Sequence, residues 1–154
     1  MRLVFQFLVV VLICGCAHTK DRSKVDLNQV RTALVLYVLN TGFDSLGKAD
    51  HLFLSLDGSD PSKELVEELR ESGVNIHPVS KSKYDDTYGT VAHISKLGSA
   101  AIIQIRGIKI ISQRKVKVDW GHYKGNVNAS GSTATARMKN GRWLVTKSRM
   151  KWIS

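Results

Sequence analysis

The chain has 154 residues, with 23 Lys and Arg against 13 Asp and Glu, a formal net charge of +10 and 43% hydrophobic residues. That size suits one domain, and the mix is too apolar for a disordered polyelectrolyte and too polar for a multi-span membrane protein. Its two cysteines exclude a disulfide-rich scaffold and a four-cysteine zinc site.

Residues 1–20 read MRLVFQFLVVVLICGCAHTK. Arg2 gives a positive start, and Leu3 to Ile13 is apolar apart from Gln6. At about 1.5 Å per residue this stretch covers only about half of a ~30 Å hydrocarbon core, so it predicts a signal-peptide core rather than a spanning helix. Ile13-Cys14-Gly15-Cys16 follows. It resembles the lipobox of bacterial lipoproteins: an aliphatic residue, two small residues and a cysteine. The resemblance implies diacylglyceryl attachment to Cys16 and cleavage between Gly15 and Cys16. Residues 1–15 would then be a signal peptide, 16–25 a lipidated polar tether and 26–154 a single domain. Cys16 would be the only cysteine left, already alkylated, leaving neither a disulfide nor a thiol nucleophile. More than one acyl chain holds a membrane beyond the reversible binding of a single chain. Ala17 after the cysteine, where Asp would mean inner-membrane retention, implies an outer-membrane protein facing the periplasm in a Gram-negative host.

Past the tether, residues 26–40 place Leu27, Val30, Leu34 and Val38 at helical spacing, with Asp26 as N-cap and Gly42 as the stop. His51 to Leu56 reads as a strand, and Asp57-Gly58 turns the chain. Asp60-Pro61-Ser62-Lys63-Glu64 predicts a helix start, with Asp60 as N-cap and Pro61 in the first turn. Glu64, Glu67 and Glu68 suit its positive end, Leu65, Val66 and Leu69 its buried stripe, and Gly73 its C-terminal cap. Val74 to Ser80 is expected to be extended, because Pro78 disfavours helix at His77. Residues 81–89, KSKYDDTYG, read as a polar loop.

The remainder predicts antiparallel sheet. Ala101 to Ile111 alternates with one slip at Arg106-Gly107, where glycine allows a bulge. Lys115 to Tyr123 alternates cleanly: Val116, Val118, Trp120 and His122 share one face, while Lys115, Lys117, Asp119 and Tyr123 share the other. Ala134, Ala136 and Met138 continue the pattern. Asn140-Gly141 signals a tight hairpin, and Arg142 to Ile153 returns as the last strand with Trp143 and Val145 directed inward. The order predicts an α+β domain with one or two helices packed on a curved antiparallel sheet, broadly similar to cystatin-like or NTF2-like folds. The run from Trp120 through Tyr123, Gly125 and Gly131 to Gly141-Arg142-Trp143-Leu144-Val145 is also similar to small bacterial secreted proteins to which no activity is attached.

Catalytic signatures are sparse. The five histidines, at 18, 51, 77, 93 and 122, show no HxH or HExxH spacing, so neither metal nor cofactor is expected. Phosphate-cradling glycine motifs and GxSxG are absent. Asn128-Ala129-Ser130-Gly131 offers a serine between strands, close in sequence to Asp119 and His122, but alternation sends those two to opposite sheet faces. A turn serine and a half-buried histidine account for the pair without catalysis. Asp57 and Asp60 read as turn and cap residues, and Asp85-Asp86 as a solvated loop pair.

Charge is the one compositional anomaly. Residues 17–80 carry a net −3, whereas residues 81–154 carry +12 with no glutamate. Arg106, Lys109, Arg114, Lys115, Lys117 and Lys124 are expected to share one solvated region that attracts an anionic surface. An exported chain points to anionic lipid, glycan or an envelope protein as partner and away from nucleic acid. The expectation is a non-enzymatic, lipid-anchored envelope module. A hydrolase using Ser130 and His122 is the alternative.

Overall fold

The computed structural model describes residues 25–41, 46, 48–86, 88–125 and 128–154. The lipobox, Cys16, the tether as far as residue 24 and Gly42, the expected stop of the first helix, lie outside them. Within them the chain is an α+β fold: helices packed on one face of a mixed, open, mostly antiparallel eight-stranded sheet.

Helix α1, Leu27–Asn40, starts where expected. The Asp26 carboxylate accepts from the backbone N–H groups of Asn28 and Gln29 at 3.0 and 3.2 Å, satisfying donors that the first turn leaves open. Its interior is rich in valine, which favours strands in isolation. Burial decides instead: Val30, Leu34, Val35 and Val38 are sealed against the sheet. Strand β1, His51–Leu56, follows, and Asp57-Gly58 turns with positive φ at both residues.

Helix α2, Lys63–Glu71, starts later than the sequence suggests. Ser62 caps it, accepting from Leu65 N at 3.3 Å. Asp60 instead accepts from Ser80 N at 2.8 Å, tying this corner to a segment twenty residues on. A carboxylate here does more for the fold by closing that long-range contact than by capping, because Ser62 already supplies the cap oxygen. Gly73, at φ +83°, ends the helix, and Val74 N returns to Leu69 O at 2.9 Å.

The expected extended run over 74–80 shrinks to β2, Ile76–Pro78, followed by a 3₁₀ turn, Val79–Lys81. The expected polar loop over 81–89 contains strand β3, Ser82–Asp85, which forms a hairpin with β4, Thr90–His93. Then come β5 (Ala100–Ser112), β6 (Lys115–Gly125), β7 (Asn128–Lys139) and β8 (Arg142–Ile153), an antiparallel meander. Asn140 and Gly141, at φ +48° and +76°, make the tight β7–β8 turn. Pairing is parallel only around β1, which lies between β2 and β5; α2 is the crossover that parallel pairing of β1 and β2 requires.

Alternation sorts the sheet into two faces. Leu54, Ile103, Ile105, Val116, Val118, Trp120, Ala134, Ala136 and Trp143 form the core beneath the helices. Small Ala134 and Ala136 on β7 leave room for α1, which lies over β7 and β8. The opposite face is open over most of β5 to β8. At its other end the β3–β4 hairpin folds over it, and Val91 covers Phe53 and Ala100, with Ile102 and Tyr123 packed alongside. The described residues join this hairpin to the main sheet through Thr90 and Gly125. The bulge expected at Arg106-Gly107 is present: Ile105 faces Trp120, Gly107 faces Asp119, and Arg106 is the extra residue.

Candidate functional site

The open face is built in cross-strand rows. Lys109 on β5 faces Lys117 on β6, Lys117 faces Thr135 on β7, and Thr135 faces Lys147 on β8. The next row runs Gly107, Asp119, Thr133 and Arg149. Row by row, the pleat points these side chains out of the same side of the sheet. Together they line a shallow groove of about 510 Å³ bounded by Lys117, Thr133, Thr135, Lys147, Arg149 and Lys151. A second hollow of about 440 Å³ continues it across Lys109 and Asp119.

Asp119 is the only acidic side chain in residues 87–154. It accepts from Lys151 Nζ at 2.8 Å and from Thr133 Oγ1 at 2.6 Å. The Lys151 bond, then the Thr133 bond, holds its carboxyl below the usual value, so it is ionised at neutral pH. It neutralises Lys151 and orients Thr133. Lys109, Lys117, Lys147 and Arg149 have no carboxylate partner among the described residues. Lysines placed directly opposite each other repel, so these rows are loaded with cations beyond what the fold itself requires.

At the far end of the face, Arg106 donates from Nη2 to Gln104 Oε1 at 2.6 Å and lies 5.7 Å from the ring centre of Trp152. The Trp152 ring lies over Gly131, where a Cβ would collide with it. Glycine is needed there for close approach, not for an unusual φ.

Of the six cations picked from the sequence, Arg106, Lys109, Lys115 and Lys117 belong to the open face. Lys115 pairs with Ser112 and Arg137, one row beyond Lys117. Arg114 sits in the β5–β6 turn, where its carbonyl accepts from Met138 N at 3.0 Å. Lys124 departs from the expectation: it lies near the end of β6, beside the β3–β4 hairpin, lining a separate cavity of about 300 Å³ with Lys83 and Asp85. Sequence reasoning missed Lys147, Arg149 and Lys151. With Trp143 and Val145 directed inward, strict alternation would bury 147 and 149 as well. A bulge between Thr135 and Ala136, with Thr146 as the extra residue, turns Lys147 and Arg149 outward.

Ser130 and His122 do meet. They are cross-strand neighbours on β7 and β6. Asn128 Oδ1 lies 3.1 Å from His122 Nε2 and can only accept, so Nε2 carries the proton and Nδ1 accepts from Ser130 Oγ at 2.9 Å. Ser130 is therefore a mid-strand residue rather than one between strands. It is 0% exposed, and His122 is buried rather than half-buried, at 3%. Asp119 lies on the other face, as alternation requires. The imidazole can take the serine proton while Asn128 fixes the ring, and in the core the three also satisfy polar groups that the sheet would otherwise bury unpaired.

Among the described residues no group of three His, Cys, Asp or Glu is arranged to hold a metal ion, and no helix is long and apolar enough to cross a membrane. No family model, curated protein or solved structure matches the chain.

Proposed function

We propose that this protein is a lipid-anchored module of the bacterial cell envelope, tethered through Cys16, whose open sheet face binds an anionic surface without catalysing a reaction. The observation that carries the reading is the pair of cross-strand rows, in which Lys109, Lys117, Lys147 and Arg149 meet a single carboxylate, Asp119. A shallow, broad cationic face suits repeated phosphates or carboxylates, as on lipid headgroups or envelope glycans, better than one enclosed small molecule. The lipobox-like Ile13-Cys14-Gly15-Cys16 supports the anchor, and Ala17 supports the outer membrane, facing the periplasm, in a Gram-negative host.

Two experiments test it. The wild type should incorporate a fatty-acid analogue and partition into detergent, while Cys16→Ser should accumulate unlabelled; equal labelling removes the anchor. A chain from Ala17 onward keeps every described residue. Its binding to anionic vesicles should weaken steeply as salt rises past about 0.15 M, where charges are screened over ~8 Å. Lys109→Glu, Lys117→Glu and Lys147→Glu together should abolish it. Binding indifferent to salt and to these reversals defeats the proposal. A second reading, an envelope hydrolase with Ser130 as nucleophile and His122 as base, has their 2.9 Å hydrogen bond in its favour and their burial against it. Turnover of ester or amide substrates that Ser130→Ala removes would carry that reading instead.

A further inference from the structure

The hairpin-covered end of the open face holds three histidines from distant points in the chain. His51 opens β1, His77 lies beside Phe53 on β2, and His93 closes β4. Their ring centres are 5.1 Å (51 to 93), 5.4 Å (77 to 93) and 6.0 Å (51 to 77) apart. Phe53 packs 5.7 and 5.6 Å from His77 and His93. Two ring nitrogens are already committed. His51 Nε2 donates to Leu97 O at 3.0 Å, and His93 Nδ1 accepts from Ser95 N at 3.1 Å.

We propose that the β3–β4 hairpin is a pH-sensitive strap, lifted from the sheet when His77 and His93 of this three-histidine cluster take up protons. Two physical effects drive it. A proton added to His93 goes to Nδ1, since its Nε2 already carries one, and turns the acceptor of the Ser95 N–H into a donor facing it. That contact to the loop after β4 is then lost. Charge on neighbouring rings also repels, and the nearby charges mostly add to the repulsion. Lys81 of the 3₁₀ turn and Lys96 of the loop after β4 both act on the cluster, while Lys83, Asp85 and Lys124 line the cavity beside His93. From β5, Ala100 and Ile102 pack with Phe53 beside the cluster. From β6 comes Tyr123, whose phenol burial pushes up, away from neutral pH.

The titration has the sign the strap needs. Burial first, then Lys96, holds His77 below its ordinary value of 6.5; burial first, then His51, does the same for His93. Groups lowered in this way stabilise the closed form while neutral. Their contribution is complete above about pH 6.5 and is lost as pH falls below it.

The ends of the strap stay tied. Asp60 holds Ser80 N at 2.8 Å, and Asp50 holds Ser99 N at 2.8 Å and Ser99 Oγ at 2.9 Å. Those hydrogen bonds keep both carboxyls below their ordinary 3.8, so they remain ionised while His77 and His93 titrate. Opening is thus local, and it uncovers Phe53, Ala100 and Ile102.

The test is hydrogen exchange of the full-length protein in non-ionic detergent, corrected for intrinsic rates, between about pH 7.5 and pH 5. Protection of Thr90–His93 should fall by about tenfold or more at the lower pH, while β6 and β7 keep theirs. His77→Phe with His93→Phe should hold the hairpin closed at the lower pH; His77→Gln with His93→Gln serves if that pair fails to fold. Equal protection at both pH values, the same loss in the variants, or a loss uniform over the sheet overturns the strap. So does a melting temperature that stoichiometric Zn²⁺ raises in the wild type but not in His51→Phe, which assigns the rings to a metal instead.

Discussion

Trp143 shows how far a single residue can be read from sequence. It follows the Asn140-Gly141 turn at sheet spacing, faces Met138 across the β7–β8 pair, and is 4% exposed against the helix-side core. Trp143→Ala should cost about 3–5 kcal/mol, the usual loss for emptying an aromatic site in a packed core. Urea unfolding of the domain would measure it, and a loss under 1 kcal/mol would mean that the site collapses around the smaller side chain. Other single residues were legible in chemistry but not in surroundings. The pairing of His122 and Ser130 needs the β6–β7 register, which the sequence between them does not specify. His51, His77 and His93 were opaque for a stronger reason. Their separations of 26 and 16 residues carry no periodicity, and only a parallel pair plus a folded-over hairpin brings the rings together.

At the scale of the element, the legible pieces are those whose burial is periodic. Helix α1, β1, β6 and the bulge in β5 follow from the spacing of apolar residues, because one face of each is buried. Strand β3 reads as part of a polar loop, and β4 is not signalled at all, because their hairpin is short, polar and borrows its burial from the sheet beneath it. The start of α2 was misplaced by two residues because Asp60 and Ser62 are both good caps, and the long-range bond from Asp60 to Ser80 decides between them. This division of labour can be tested. Ser62→Ala should lower stability by about 1 kcal/mol through the lost cap. Asp60→Asn should instead loosen the Ser80 corner, leaving helix content unchanged by circular dichroism while exchange at Ser80 speeds up. Equal loss of helix in both variants would restore Asp60 as the working cap. Lys147 and Arg149 belong here too, since a single extra residue at Thr146 decided which face they occupy.

For the whole molecule, the division of charge between a −3 amino-terminal part and a +12 carboxy-terminal part is plain in the sequence. What was hidden is that strand pairing stacks those cations side by side on one face. Lys109 sits directly opposite Lys117, and no second carboxylate relieves the rows. The native state therefore works against its own electrostatics. Its melting temperature should rise between about 0.02 and 0.3 M sodium chloride, as screening shortens the reach of the repulsion from about 20 Å to about 6 Å. A temperature that falls or stays level would show that the rows are not in conflict. A protein under such internal tension reports its own ligand. Any polyanion that settles across the rows relieves the repulsion and stabilises the native chain through mass action. The thermal shift should be largest at low ionic strength and should vanish in Lys117→Glu. A panel of envelope lipids and glycans could then be ranked by calorimetry alone, with no assay for activity and no partner known in advance.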